Sequence, residues 1–215
     1  MIEVKLRAHA GQFHLAAEVS GSGVTCIAGR NGAGKTTLLR AIAGFLRIDE
    51  GQVLVGGLDV TWLPAERRGI VLVTPGSALL HLEVDSHLVW GLKLLGKQIQ
   101  EDEVSKVKSE LGIDFGGRVG RLSMGMRERV SLATALLSEP KVILVDEAFA
   151  SLHDREDFIA AYGRLLARAH IDLIFSSQLA ADGKLADNLY MIEEGVTTAG
   201  NDHRTGQTPA VRFQR

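Results

Sequence analysis

A glycine-rich octapeptide is the part of the chain best suited to chemistry. Residues 29–36 read GRNGAGKT and fit the pattern G-x-x-x-x-G-K-[ST]. In such a loop the glycines let backbone N–H groups approach phosphate oxygens, the lysine adds a mobile positive charge, and the hydroxyl binds Mg²⁺. The pattern predicts a nucleoside triphosphate site. The residues that we assign to the nucleotide here are Gly29, Arg30, Asn31, Gly32, Ala33, Gly34, Lys35, Thr36 and Thr37.

The segments on either side of the loop provide the setting that this chemistry needs. Val24–Ala28 is a short apolar run typical of a buried strand, and Thr37–Ala43 has the apolar spacing of a helix that ends at Gly44. A helix that begins directly after the loop directs unpaired N–H groups and the positive end of its dipole at bound phosphate. A glycine-rich turn that merely precedes a lysine is the alternative, and the flanking strand and helix disfavour it.

Two carboxylates follow another predicted strand. Val142–Val145 is a continuous apolar run, as in a parallel strand that is buried on both faces, and Asp146 and Glu147 come next. Because α/β sheets bind ligands at the carboxyl ends of their strands, we expect both acids to lie beside the glycine loop. Asp146 would then bind Mg²⁺ together with Thr36, and Glu147 would polarise an attacking water. Taken alone, two acids that end a strand could equally face solvent.

The composition is that of one globular domain. With 215 residues, 46% of them hydrophobic and 23% charged, the chain can bury a sizeable core, and it has no apolar stretch of membrane-spanning length. A net charge of −2 disfavours a nucleic-acid partner, because phosphate backbones are bound by concentrated Lys and Arg. The single cysteine, Cys26, suits a reducing compartment. We therefore expect a cytoplasmic protein.

The remaining patterns predict an α/β fold. Further strands are predicted over Glu3–Arg7, Phe13–Val19, Gly51–Val55, Ile70–Val73 and Ile171–Phe175. The spacing between residues 82 and 111 is helical, and Ser123 is a candidate N-cap for a helix from Met124 to about Leu137. We predict a single domain over residues 1–199, a helical subdomain over about 76–138, and a polar, poorly ordered tail over 200–215.

Three further segments resemble motifs of the ATP-binding domains of ABC transporters. Leu122–Val130 is similar to the LSGGQ-type signature of that family, Ser151–Asp154 to its D-loop, and Gly57–Ile70 to a stretch typical of import-type subunits. The resemblance covers about residues 1–195. The signature is its most specific part, because few other P-loop ATPases carry one shortly before the acidic strand. The resemblance implies a P-loop NTPase of the ABC type, with a mostly parallel core sheet, an antiparallel β subdomain and an inserted helical subdomain.

The resemblance also implies partners. Ser123, Met124 and Gly125 would contact the γ-phosphate of an ATP held by a second ABC subunit, in a homodimer or a heterodimer, with Asp154 in the adjacent D-loop. The dimer would bind MgATP, hydrolyse it and drive a transmembrane permease. The resemblance favours import over export. The permease would contact the segment Pro75–Val89, which places the chain at the inner face of the cell membrane.

Two positions depart from the family pattern in ways that bear on hydrolysis. Where the family carries a glutamine after a strand matching Ile70–Val73, this chain has Pro75, which cannot coordinate Mg²⁺ or orient water. Where the family carries a histidine, this chain has Ser177, followed by Gln178. Serine can donate a hydrogen bond to a phosphate oxygen but carries no charge near neutral pH. We assign Glu147 and Ser177 as candidate catalytic residues and expect hydrolysis to suffer more than binding.

Phe13 is the candidate for stacking against adenine, since it is the nearest aromatic residue before the glycine loop. An alternating strand equally places a phenylalanine in the core, so the sequence leaves both interpretations open.

Two other functions remain open at this stage. Without the glutamine and the histidine, the chain could be a nucleotide-dependent switch that dimerises with little turnover. It could also be a soluble ABC ATPase that does not take part in transport.

Overall fold

The computed structural model describes residues 1–200, which form one sheet and the helices that cover it. Within this range the strands are β1 (Ile2–Ala10), β2 (Phe13–Gly21), β3 (Val24–Ala28), β4 (Ile48–Val55), β5 (Leu58–Asp59), β6 (Ile70–Val73), β7 (Val142–Val145), β8 (Asp172–Ser177), β9 (Asn188–Glu193) and β10 (Val196–Ala199). The α-helices are α1 (Lys35–Ala43), α2 (Val84–Leu88), α3 (Trp90–Leu94), α4 (Glu101–Glu110), α5 (Met124–Leu137) and α6 (Arg155–Arg168). Residues 201–215, which hold nearly all of the predicted tail, lie outside the described part.

The sheet has a parallel part and an antiparallel part. Its strand order is β5-β4-β1-β2-β10-β9-β3-β8-β7-β6. Strands β9, β3, β8, β7 and β6 run parallel to one another, whereas β5, β4, β1 and β2 are antiparallel neighbours. The predicted fold class is confirmed, and a single parallel pair, Val196 with Ala16, joins the two parts. Because β3, β6, β7 and β8 are parallel, the residues that follow them meet at one edge of the sheet.

Strand β7 is buried on both faces, as its unbroken apolar sequence predicts. Val142 and Leu144 pack into a hydrophobic cluster with α1 and the antiparallel strands. Ile143 and Val145 point the opposite way, into a cluster with α5 and α6. The strand that delivers Asp146 is therefore held between two cores.

The helical segment between β6 and β7 is more broken than the sequence suggests. α5 begins and ends where predicted, and the Ser123 hydroxyl accepts a hydrogen bond from the Met126 N–H at 3.3 Å. The helical spacing predicted between residues 82 and 111 is interrupted, because α3 ends at Leu94 and Leu95 is 60% exposed. Gly96, with φ of 64°, turns the chain away at that point. No helix within residues 1–200 has the length and apolar character needed to cross a bilayer.

Strand β10 is an element that the sequence analysis does not identify. Its sequence, VTTA, is short and half polar, and it follows a tight turn at Glu194 and Gly195. The strand forms because β9 offers it an antiparallel edge. This hairpin also supports the glycine loop, since the Gly195 N–H donates to the Ala33 carbonyl at 2.9 Å.

Arg68 ties the end of α1 to the loop that precedes β6. Its guanidinium donates to the carbonyls of Ala41 at 3.2 Å, Ile42 at 2.9 Å, Thr61 at 2.6 Å and Leu63 at 2.9 Å. The side chain is only 6% exposed. Two of these carbonyls, those of Ala41 and Ile42, belong to the last turn of α1 and lack the regular helical partner four residues on, although that of Ala41 also accepts from the Gly44 N–H at 3.2 Å. Arg68 therefore helps to fix the helix whose first residues carry the predicted nucleotide chemistry.

Replacing Arg68 should destabilise the whole domain. We expect Arg68→Met, which keeps a long stem but removes every donor, to lower the free energy of unfolding by about 2–4 kcal/mol, because buried carbonyls lose their partners. Urea unfolding followed by circular dichroism measures this. Arg67→Met, at the exposed neighbouring position, is the matched control and should change stability by less than about 0.5 kcal/mol. Equal effects of the two substitutions would contradict the capping role.

Candidate nucleotide site

The glycine loop joins β3 to α1 in a conformation that depends on glycine. Gly32 and Gly34 have φ of 80° and 108°, in the left-handed region that disfavours residues with a side chain. A Cβ added at Gly34 would lie 2.7 Å from Cζ of Phe13, whereas one added at Gly32 would meet nothing within 4 Å. Position 34 thus requires glycine both for its left-handed backbone and because a side chain would clash with Phe13. Position 32 requires it for the left-handed backbone alone.

Lys35 is folded under the loop that precedes it. Its ammonium group donates to the carbonyls of Gly29 at 2.9 Å and Arg30 at 3.1 Å, and it lies 3.2 Å from Oε1 of Glu147. The side chain is only 4% exposed. A buried ammonium group needs such partners, because the desolvation of an unpaired charge is costly. The contact with Glu147 shows that this acid lies beside the glycine loop, as the sequence predicts.

Asp146 is the carboxylate where three elements converge. It accepts hydrogen bonds from the hydroxyl of Thr36 at 2.7 Å and from the hydroxyl of Ser176 at 2.8 Å. Its own N–H donates to the Val73 carbonyl at 2.8 Å. Hydroxyl and carboxylate oxygens are the ligands that Mg²⁺ prefers, so the pair formed by Thr36 and Asp146 fits that ion. Sequence reasoning missed Ser176, whose signal is a hydroxyl at the end of an otherwise apolar strand.

Glu147 sits on a constrained backbone. Its φ of 56° is in the left-handed region, and its N–H donates to the Ser176 hydroxyl at 3.0 Å. One carboxylate oxygen faces Lys35, and the other accepts a hydrogen bond from Nε2 of Gln178 at 3.3 Å. The side chain is therefore held from two sides.

These groups line a cleft of about 380 Å³. Its walls include seven of the predicted nucleotide residues, namely Phe13, Asn31, Gly32, Gly34, Lys35, Thr36 and Thr37. Asp146, Glu147 and Pro75 complete them. The other three residues of the loop support it from outside the cleft. The carbonyls of Gly29 and Arg30 accept hydrogen bonds from Lys35, and the carbonyl of Ala33 accepts one from the Gly195 N–H.

The position of Phe13 is compatible with both interpretations, stacking against adenine and packing in the core. Its ring approaches Gly34 and Gly195, where added Cβ atoms would lie 2.7 and 3.2 Å from Cζ. It is partly buried against the hydrophobic cluster around α1, and it also lines the cleft.

Ser177 is not brought to this cleft. Its hydroxyl donates to the Asp182 carboxylate and accepts from the Leu179 N–H at 3.0 Å, and Asp182 is in turn paired with Arg155 at 2.7 Å. Ser177 lines a second cavity of about 250 Å³, on which Glu147 and Gln178 also border. Pro75 does line the first cleft but offers no hydrogen-bonding side chain.

The signature residues and the D-loop lie together on the surface. Ser123 is exposed at the N-terminus of α5, and Met124 is 57% exposed. A Cβ at Gly125 would lie 3.0 Å from the Ser151 carbonyl, so the two motifs touch. Asp154, just before α6, is paired with Arg129 of α5. None of the three signature residues lines the cleft of its own chain.

A buried residue, Glu128, connects α5 to the D-loop by a hydrogen bond. It is buried on α5 and accepts a hydrogen bond from the Ser151 hydroxyl. Burial raises the pKa of its carboxyl from 4.5 to about 7. Glu128 lies within the signature-like segment Leu122–Val130, but nothing in that motif signals its burial.

Comparison with known proteins agrees with this geometry. The family model described as ABC transporter matches residues 14–150. The molybdenum import ATP-binding protein ModC of Rhodobacter capsulatus is 36% identical over 93% of this chain and 58% of its own length. The putative 2-aminoethylphosphonate import ATP-binding protein PhnT of Salmonella typhimurium is 33% identical over 88% of this chain and 54% of its own.

A solved structure shows the same fold. It is the ADP conformation of MJ1267, an ATP-binding cassette of an ABC transporter, with a TM-score of 0.76 and 26% identity over 93% of this chain and 91% of that one. The fold and site define a P-loop ATPase domain of the ABC type. This chain belongs to the ABC transporter family, whose ATPase domains bind ATP. It spans less than two thirds of the length of the curated relatives named here.

The buried Glu128 makes a prediction about pH. A carboxyl with a raised pKa in the folded state stabilises the fold fully below the unfolded value of 4.5, and this contribution is lost as pH rises through about 7. The stability of the wild type relative to Glu128→Gln should therefore fall between pH 5 and 8. Urea midpoints across this range measure the difference. Glu103→Gln, at an exposed position on α4, is the control and should follow the wild-type curve; identical curves for Glu128→Gln and wild type would contradict the assignment.

Proposed function

We propose that this chain is the ATP-binding subunit of an import-type ABC transporter, and that it dimerises around MgATP and hydrolyses it. The observation that carries the proposal is the meeting of Lys35, Thr36, Asp146 and Glu147 at one cleft in a chain of this family. Import is favoured by the relatives, since both ModC and PhnT are named as import ATP-binding proteins.

ATP would lie along the glycine loop. The loop amides and Lys35 would bind its phosphates, with Phe13 beside the adenine. Thr36 and Asp146, whose oxygens are already 2.7 Å apart, would hold Mg²⁺. When bound, the ion would neutralise charge on the β- and γ-phosphates.

Glu147 would act on the attacking water. In this structure its carboxylate is paired with Lys35, the group that the phosphates would also attract. Phosphate binding would therefore draw the ammonium group away and leave the carboxylate to accept a proton from water.

The second candidate function is a nucleotide-dependent switch with little turnover. One observation favours it, because neither Pro75 nor Ser177 presents a polar side chain to the cleft. The two candidates agree on binding and differ on hydrolysis.

Replacing Glu147 separates them. If the chain is an ATPase, Glu147→Gln should lower kcat by at least about 100-fold, because the base is lost. ATP affinity should stay equal or become tighter, since a negative charge beside the phosphates is removed. Phosphate release and binding of a fluorescent ATP analogue measure the two effects, with Glu66→Gln at an exposed position as control. A wild type no faster than Glu147→Gln would favour the switch.

A second subunit would complete the site. Ser123, Met124 and Gly125 stand at the exposed N-terminus of a 14-residue helix, outside the cleft of their own chain. Helix N-termini bind anions through free N–H groups and the helix dipole. In a head-to-tail dimer this end of α5 would face the γ-phosphate in the cleft of the partner, and the neighbouring D-loop would lie at the interface.

Mixed dimers test this arrangement. Lys35→Ala removes the phosphate lysine, and Ser123→Glu places a carboxylate where the phosphate of the partner is expected. Each variant alone should be inactive. Dimers purified with one copy of each contain one intact composite site, and they should recover up to about half of the wild-type rate.

The control for the mixed dimers pairs Lys35→Ala with a Lys35→Ala/Ser123→Glu double variant, which leaves no intact site. Hydrolysis by a monomer, or mixed dimers as inactive as this control, would contradict the shared site.

A permease would contact the segment that follows β6. Within the predicted segment Pro75–Val89, Leu80 is 50% exposed, and just beyond it Trp90, Leu94 and Leu95 are 38–70% exposed. Such side chains suit contact with another protein. The chain would then act as a peripheral subunit at the inner face of the membrane, in the cytoplasm.

A further inference from the structure

Glu147 lacks the glutamine and histidine neighbours of the family pattern, because Pro75 and Ser177 stand at those positions. Pro75 lines the cleft without a hydrogen-bonding side chain. Ser177 is buried, and its hydroxyl is engaged by Asp182 and by the Leu179 N–H. Pro75 has no donor to offer the Glu147 carboxylate, and the Ser177 hydroxyl could turn toward that carboxylate only by breaking the bonds it already makes.

The next residue along the chain makes the missing contact. Gln178 follows the end of β8, and its Nε2 donates to Oε2 of Glu147 at 3.3 Å. The other oxygen of the same carboxylate faces Lys35 at 3.2 Å. Lys35 begins the helix that follows β3, and Gln178 directly follows β8, and both strands run parallel to β7.

The contacts from Lys35 and Gln178 to Glu147 are expected to respond differently when the phosphates of a nucleotide bind. Lys35 carries the positive charge that a triphosphate attracts, so its bond to Glu147 competes with binding. Gln178 carries no charge, and its amide has no comparable reason to leave. Of the two side-chain contacts to Glu147, the one from Gln178 is the one expected to persist in the loaded site.

We propose that Gln178 is the positioning residue for Glu147, fixing the carboxylate toward the attacking water in place of the glutamine and histidine that this chain lacks. This role rests on the function proposed above. A carboxamide suits it because its N–H groups hold one oxygen of the base while its own oxygen can accept a hydrogen bond from water. A neutral donor also orients the carboxylate without a cation's strong pull on its charge.

The backbone supports the same role. Glu147 stands at a φ of 56°, and its N–H is fixed by the Ser176 hydroxyl at 3.0 Å. Ser176 is the residue two positions before Gln178, so β8 anchors both the main chain and the side chain of Glu147. Misplacement of a catalytic group by about 1 Å is enough to slow a reaction about 100-fold, which is why such anchoring matters.

The test uses the full chain in its dimeric state with MgATP. Gln178→Met keeps the length of the side chain and removes the amide, and Gln98→Met makes the same change at an exposed position. We expect Gln178→Met to lower kcat by at least about tenfold, while KM and the affinity for a fluorescent ATP analogue stay within about twofold. Gln98→Met should match the wild type.

A double variant distinguishes positioning from a structural role. If Gln178 acts only through Glu147, then adding Gln178→Met to Glu147→Gln should cause no further loss of turnover. An additive loss, or a fall in nucleotide affinity equal to the fall in kcat, would overturn the positioning role.

The failure of the inference differs from the failure of the proposed function. If Glu147→Gln abolishes turnover and Gln178→Met leaves it at the wild-type rate, only the role of Gln178 is overturned. If the wild type hydrolyses ATP no faster than Glu147→Gln, the proposed ATPase function falls and the role of Gln178 falls with it.

Discussion

The structure of the site depends on the carboxylate of Asp146. One of its oxygens accepts from Thr36 at the start of α1 and the other from Ser176 at the end of β8, while its N–H is bonded to the end of β6. This single residue therefore joins the glycine loop, β7, β8 and β6 at one edge of the sheet. Because hydrogen bonds to a charged and buried group are stronger than neutral ones, the arrangement is firmly held.

The fold around this edge explains why the site can be both rigid and adjustable. β7 is buried between two cores, so Asp146 has little freedom. Glu147, one residue further, has left the sheet on a strained backbone, and its carboxylate is held by the side chains of Lys35 and Gln178. In the proposed ATPase, the metal-binding pair is thus fixed by the sheet, and the proposed base is placed by neighbours that a nucleotide can rearrange.

The helical segment contributes a different kind of surface. α5 carries the signature residues at its exposed start and is packed along its length against the core. Two contacts connect α5 to the D-loop. One is the hydrogen bond between the buried Glu128 and Ser151, and the other is the ion pair between Arg129 and Asp154 nearer the surface. The two motifs proposed to meet a partner subunit therefore form one connected surface.

Local sequence was enough for several features because each depends on nearby residues. The strand, glycine loop and helix around Lys35, the burial of β7, and the N-cap at Ser123 all follow from residue types and short-range periodicity. The proximity of Asp146 and Glu147 to the loop followed from a general rule of parallel sheets. The roles of these residues in ATP chemistry remain proposals, although their positions are now known.

Tertiary structure alone decided which side chains complete the site. That Ser177 turns to Asp182, that Ser176 and Gln178 reach the two acids, and that Glu128 is buried all depend on residues distant in sequence. Strand β10 forms where β9 offers an antiparallel edge and β2 a parallel pair, and Leu95 is exposed because Gly96 redirects the chain. Sequence patterns determine the elements because backbone geometry is local, whereas the direction of a polar side chain is chosen by whichever partner the fold brings within hydrogen-bonding distance.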